Sequence, residues 1–184
     1  MTVQAITVFM GSQLGNQSSY ITMAKQLGQT IAQRRLKMIY GGGRDGLMGI
    51  AARSDMAKGG EVVGISPNNL AEEAIAIDSV TKLIEVADMD ERKRLLMAYA
   101  DAFIALPGGF GTLEEIAQVI SWEKIGLHHK PLVLLNTNGF YDSLWHWLMT
   151  SVSSGFVTQN DLDKIYLADT VESALTYLIN ESDR

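Results

Sequence analysis

Leu106-Pro107-Gly108-Gly109-Phe110-Gly111-Thr112-Leu113-Glu114-Glu115 joins an apolar run, Ala102 to Leu106, to a segment in which Leu113, Ile116, Ala117 and Ile120 recur at helical spacing. The order is buried strand, glycine-rich turn, amphipathic helix. Glycines at 108, 109 and 111 let the backbone approach a ligand closely, and the first turn of a helix offers unpaired N–H groups and a partial positive charge. Such a turn holds a phosphate. Glu114 and Glu115 lie about 100° apart around a helix of 3.6 residues per turn, so they cannot share one role, and one of them faces the crevice.

Strand–loop–helix units repeat outward from this stretch. Val3 to Phe9 is a β-branched strand ending at Gly11-Ser12, with a helix from Tyr20 to Arg34. Met38 to Tyr40 runs into Gly41-Gly42-Gly43, and a helix from Leu47 to Lys58 stops at Gly59-Gly60. Val62 to Ile65 is a third strand, Pro67 to Asp78 an irregular connection, and Val80 to Val86 a fourth strand. Asp88 with Glu91 marks a capping-box start for a helix to Tyr99. Beyond the central helix, which ends near Ile125, come strands at Leu132 to Leu135 and Lys164 to Leu167 and helices at Phe140 to Val152 and Val171 to Ile179. Alternation of this kind implies an α/β chain whose mostly parallel sheet is covered by helices on both faces. Ligands of such sheets bind outside the carboxyl ends of the strands, here Gly11-Ser12, Gly41 to Gly46, Asp88 to Lys93 and Pro107 to Glu115.

A length of 184 residues favours one domain over the whole chain. A net charge of -6 gives no field that gathers nucleic acid or anionic lipid. Cysteine is absent, which excludes disulfides, a thiolate nucleophile and cysteine-ligated metal. The N-terminal stretch lacks the basic start and apolar core of a signal peptide, and no later run reaches membrane-spanning length, so the expected location is the cytoplasm.

Several motifs carry two readings. Gly41-Gly42-Gly43-Arg44-Asp45-Gly46 satisfies G-x-G-x-x-G, but it follows the second strand, and Glu61 begins the next strand instead of ending it, which places an acid badly for a dinucleotide ribose. A mononucleotide pocket is the favoured reading, tight turns for packing the alternative. Arg92 and Lys93 sit in a first helical turn, where the macrodipole disfavours cations. Arg92 shares a face with Leu95, Leu96 and Tyr99 and points to the sheet side, where it suits phosphate or carboxylate, or else it pairs with Asp88 or Glu91. Thr112-Leu113-Glu114-Glu115 also reads as a capping box, with Glu115 bonding back to the threonine N–H. His128, His129 and His146 lack metal-ligand spacing, Ser12 has no visible histidine partner, and Trp122 is expected in the core.

Gly41-Gly42-Gly43 with Gly46-Leu47-Met48-Gly49, Met89-Asp90-Glu91-Arg92-Lys93, and the complete P-G-G-x-G-T-x-x-E motif from Pro107 to Glu115 together resemble the LOG (LONELY GUY) family. Similarity extends from Val8-Phe9-Met10-Gly11-Ser12 to Gly155-Phe156-Val157. The resemblance implies a homodimeric, Rossmann-like, doubly wound fold. The implied enzyme is a cytokinin riboside 5'-monophosphate phosphoribohydrolase, which splits N6-modified adenosine monophosphates, and often AMP, into free base and ribose 5-phosphate. Members of the family have often been labelled lysine decarboxylases, but the resemblance is not to pyridoxal-phosphate enzymes. By motif, Arg92 and Glu115 are the implied catalytic residues. Ser12, Gly42, Gly43, Lys93, Gly108, Gly109, Phe110, Gly111, Thr112 and Glu114 are the implied nucleotide-site residues, with Glu73 an acidic ligand on a loosely aligned segment. No cofactor and no metal is implied. Asp90 stands where the family often has histidine, a departure that bears on affinity or base preference.

Overall fold

The computed structural model describes residues 2–68 and 80–181. Among them are seven strands: β1 (Ala5–Phe9), β2 (Lys37–Tyr40), β3 (Glu61–Pro67), β4 (Lys82–Val86), β5 (Ala102–Ala105), β6 (Leu132–Leu135) and β7 (Ile165–Ala168). The helices are α1 (Ser18–Gln33), α2 (Gly46–Met56), α3 (Met89–Tyr99), α4 (Phe110–Lys124), α5 (Asp142–Ser153), α6 (Gln159–Leu162) and α7 (Val171–Glu181). The strands form one sheet in the order β4-β3-β2-β1-β5-β6-β7, and every pairing is parallel. This is the helix-covered parallel sheet expected from the alternation, and the Rossmann-like, doubly wound α/β architecture that the resemblance implied.

Parallel strands covered on both faces read as continuous apolar runs, and Leu132-Val133-Leu134-Leu135 is buried throughout. One core layer packs α1, α2 and α7 against the sheet through Met23, Leu27, Leu47, Ala51 and Leu175. The other packs α3, α4 and α5 through Leu96, Ile116, Val119 and Leu148. β1 shows the period-2 alternation that divides them: Ile6 and Val8 enter the first layer, Phe9 the second. Thr7, on the second face, donates its hydroxyl to the Leu96 carbonyl at 2.8 Å. The Lys130 ammonium donates to the Met97 carbonyl at 2.7 Å. Two side chains from elsewhere in the chain thus satisfy carbonyls in the last turn of α3 and fix that helix on the sheet.

The α1–α2 contact is close because of Gly28. A Cβ there would stand 2.2 Å from the Ala51 carbonyl oxygen, a backbone atom that cannot rotate aside. Overpacking of about 1–3 kcal/mol outweighs the roughly 1 kcal/mol that alanine gains over glycine within a helix. Gly28→Ala is therefore expected to lower the urea unfolding free energy by about 2 kcal/mol; an unchanged midpoint would show that the two helices have room to spare.

Some boundaries differ from the sequence reading. The first strand begins at Ala5, the fourth at Lys82, and a 3-10 turn at Thr137–Gly139 precedes α5. The four-residue α6 is too short to show a helical period, although its Thr158–Asp161 capping box was open to reading. The connection read from Pro67 to Asp78 lies mostly outside the described residues, and Glu73 with it. A larger correction concerns α4: its N-cap is Gly109, and Thr112 occupies the third helical position, so Thr112 and Glu115 form no capping box.

The site follows from the strand order. Strands β1 to β4 step toward one edge, and β5 returns to the other side of β1, which opens a crevice at the carboxyl ends of β1 and β5. The loops after these strands are tied together, since the Gly11 N–H donates to the Pro107 carbonyl at 3.1 Å. The Leu47 N–H of α2 donates to the Gly11 carbonyl at 3.1 Å, bringing a third element to the same edge.

Candidate active site

A cleft of about 230 Å³ occupies this crevice. Val8, Met10 and Met48 give its apolar lining, and Gly11, Ser12, Gly41 and Gly109 to Thr112 line it together with Arg92 and Glu115. The end of β5 is anchored by Tyr141, whose hydroxyl donates to the Leu106 carbonyl at 2.5 Å. From there the chain turns directly into α4. The first backbone bond closing that helix runs from the Leu113 N–H to the Gly109 carbonyl at 3.0 Å, so the N–H groups of the preceding turn remain for a ligand.

The glycines of this turn have different causes. A Cβ on Gly108 would lie 2.1 Å from Thr112 Oγ1, whereas Gly109 and Gly111 face open space. Gly108 therefore makes room for the buried threonine, and Gly109 and Gly111 leave the approach to the helix N-terminus clear. Phe110, 94% exposed, stands at the mouth.

Glu115 is the carboxylate that enters the cleft, with 12% of its side chain exposed. Burial pushes its pKa up to about 7; the Arg92 guanidinium opposes that rise and nearby Glu114 adds to it. Arg92 Nη1 stands 3.7 Å from Glu115 Oε1, too long for a hydrogen bond, so the guanidinium offsets only part of the burial effect. Glu114 turns outward and accepts from Lys93 Nζ at 2.8 Å. Asp90, the departure from the family pattern, lies 3.3 Å from Lys93 Nζ and is exposed. The hydrogen bond to Glu114 and the Asp90 charge hold the Lys93 pKa above its ordinary value.

Arg92 makes neither of the local ion pairs that its position allowed. Asp88 accepts from the Glu91 N–H and Glu91 accepts from the Ala87 N–H, each at 2.8 Å, so both acids serve the start of α3. The guanidinium reaches across the sheet edge instead. Nε donates to the Ile65 carbonyl at 3.2 Å and Nη2 to the Gly41 carbonyl at 3.4 Å.

Of the residues singled out in the sequence, the cleft brings together Ser12, Arg92, Gly109, Phe110, Gly111, Thr112 and Glu115. Lys93 and Glu114 pair beside it. Gly108 borders two neighbouring cavities. Gly42 takes a left-handed φ of 80° beside Ser66, and Gly43 lies under Met48, both behind the lining. Gly41, Met10 and Met48 also line the cleft; the sequence reading quoted all three within its motifs, and Gly41 within the favoured mononucleotide loop, without naming them as site residues. The glycine run and the Gly46-Leu47-Met48-Gly49 segment held the signal for two of them. Trp122 packs in the second core layer and His128 against the Phe103 ring, away from the cleft. Among the described residues, no histidine and carboxylate group is arranged to hold a metal ion, and no helix is long and apolar enough to cross a membrane.

Comparison with known proteins identifies the family. A family model described as "Possible lysine decarboxylase" matches residues 48–178. The chain is 39% identical over 176 residues to a probable cytokinin riboside 5'-monophosphate phosphoribohydrolase, LOG4, of Oryza sativa subsp. japonica, covering 96% of this chain and 76% of the relative. It is 44% identical over 153 residues to the cytokinin riboside 5'-monophosphate phosphoribohydrolase LOG2 of Arabidopsis thaliana, covering 83% and 72%. Among solved structures, the molybdenum cofactor carrier protein of Chlamydomonas reinhardtii superposes with a TM-score of 0.76 at 22% identity, over 98% of both chains. The molybdenum cofactor binding protein of Rippkaea orientalis gives 0.73 at 25%, over 96% of both. The carrier likeness at 22% identity concerns the fold, whereas the matches at 39% and 44% identity cover 96% and 83% of this chain, and the chain belongs to the LOG family.

Proposed function

We propose that this protein hydrolyses the N-glycosidic bond of adenosine 5'-monophosphates, N6-modified or plain, to the free base and ribose 5-phosphate. The observation that carries the reading is Glu115, a buried carboxyl with a pKa near 7, facing Arg92 in the same cleft as the open N-terminus of α4. The 5'-phosphate takes the N–H groups at Gly109 to Thr112, and that remote binding energy orients the sugar. As the C1'–N9 bond lengthens, positive charge builds on the ribose, and the Glu115 carboxylate stabilises it or takes a proton from the attacking water. The water oxygen bonds to C1', and the base leaves with the bonding pair and gains a proton. Arg92 neutralises phosphate or orients the ribose hydroxyls. Lys93 and Glu114 border the nucleotide as an ion pair.

The deciding experiment is chromatography of products after incubation with AMP and with isopentenyladenosine monophosphate. Free base with ribose 5-phosphate is the expected result, and the ratio of the two rates distinguishes hormone activation from nucleotide salvage. Release of inorganic phosphate with intact nucleoside would make the protein a phosphatase. The molybdenum cofactor carriers of the same fold motivate a second reading, a nucleotide or cofactor carrier; tight binding of AMP with no base released would favour it.

The active form we propose is a homodimer. Leu113 on α4 and Trp147 and Met149 on α5 are exposed apolar side chains that a second copy would cover. Sedimentation should give twice the 20.1 kDa chain mass, and a monomer at micromolar concentration would refute it.

A further inference from the structure

The guanidinium of Arg92 fills the place where any other residue at position 41 would put its Cβ. A Cβ built on Gly41 would stand 1.8 Å from Arg92 Nη2 and 3.0 Å from Cζ, and the third nearest atom, Nε at 3.5 Å, belongs to the same side chain. Gly41 also supplies one of the two carbonyls that receive the guanidinium, the Ile65 carbonyl supplying the other. These strand-end carbonyls engage Nε and Nη2, while Nη1 is the atom nearest Glu115.

We propose that Gly41 is a positioning residue for hydrolysis: its bare Cα and its carbonyl form the seat that holds the Arg92 guanidinium in the cleft opposite Glu115. The proposal rests on the hydrolase reading for its consequences in rate. Gly41 differs from its neighbours in the glycine run. Gly42 has a left-handed φ that disfavours any side chain, and a Cβ on Gly43 would meet Met48. Gly41 has no left-handed φ, so its backbone admits alanine, and the nearest obstacle is the arginine itself. The guanidinium is the far end of a flexible side chain and is therefore displaced without disturbing the sheet.

A double-mutant cycle tests this. At pH 6, where Glu115 is mostly protonated, Gly41→Ala is expected to melt at the temperature of the parent, and to lower kcat/KM for AMP about 10²-fold, the scale of an ångström's misplacement of a catalytic group. Moving the guanidinium away from Glu115 also removes an influence that favours the carboxylate, so the midpoint of the kcat/KM pH profile should move upward. A purely structural glycine would leave that midpoint alone. In an Arg92→Ala background the atoms that Gly41→Ala would meet are gone, and the second substitution should change neither the residual rate by more than about twofold nor the melting temperature. Equal losses from Gly41→Ala in both backgrounds, or an unaltered rate in the single variant, would overturn the proposal. If the parent releases no base at all, the hydrolase reading fails separately. The seat is then decided by the 1H–15N resonance of Arg92 Nε–H, hydrogen-bonded to Ile65: it must shift in Gly41→Ala, and an unmoved resonance overturns the seat.

Discussion

Glu115→Gln should fold normally and lose turnover by about 10²–10⁴-fold, the usual contribution of a positioned acid or base. Glutamine keeps the shape and hydrogen-bonding reach of the side chain while removing its charge. A capping role is ruled out by the position of Gly109 at the helix start. The stability consequence is unusual for a catalytic substitution and follows from the sign of the pKa shift. Burial raises the Glu115 pKa from 4.5 to about 7, so folding favours the protonated form. That contribution is fully present below 4.5 and is lost as the pH climbs through about 7. Glutamine has no such loss. Urea titrations at pH 4 should find the parent and the variant alike, and at pH 8 the variant should be the more stable by roughly 1–3 kcal/mol. Unchanged turnover in Glu115→Gln would return the residue to a structural role.

On the proposed role, the same group is expected to set the pH dependence of the rate. Activity that needs the carboxylate should rise through about 7 in kcat/KM, which reports the free enzyme. The substrate phosphate has its own second ionisation near about 6, so two steps are expected. Only the step near 7 belongs to Glu115, and it should be missing from the residual activity of Glu115→Gln.

The fold was legible because local patterns carry it. The buried run Leu132 to Leu135 and the glycine turn between Leu106 and Leu113 each announce an element by periodicity or turn chemistry. The site was legible as a set of loops at one sheet edge, but its pairings were not. Nothing local shows that Arg92 ignores Asp88 and Glu91 in favour of Gly41, 51 residues away, and Ile65, 27 residues away. Side-chain choice between near and distant partners depends on the strand order, which brings β2, β3 and α3 to one corner. For Glu114 and Glu115 the helical period required that they diverge, but which one entered the cleft depended on where α4 begins. Thr112 looked like its cap by composition; the N-cap is instead Gly109, three residues earlier, and Thr112 is buried in the first turn against Gly108, where a Cβ would meet its hydroxyl.

Arg92→Ala should lower kcat/KM by about 10²–10³-fold, as expected for loss of one fixed cationic donor at a site of developing or bound charge. Its effect on stability should depend on pH, because the charge stranded by the substitution belongs to Glu115. At pH 6 that carboxyl is mostly protonated, no buried anion is left alone, and the variant should unfold near the parent's midpoint. At pH 8 the parent holds an ionised Glu115 opposite Arg92, and the variant does not. The Glu115 pKa should therefore rise further, and each unit of that rise amounts to about 1.4 kcal/mol between the two protonation states. A stability gap opening between pH 6 and pH 8, with the residual rate shifted to higher pH, is the expected pattern. Unfolding of Arg92→Ala at both pH values would mean instead that the bonds to Ile65 and Gly41 hold the sheet edge together, and Arg92 would then be a structural arginine whose nearness to Glu115 carries no chemistry.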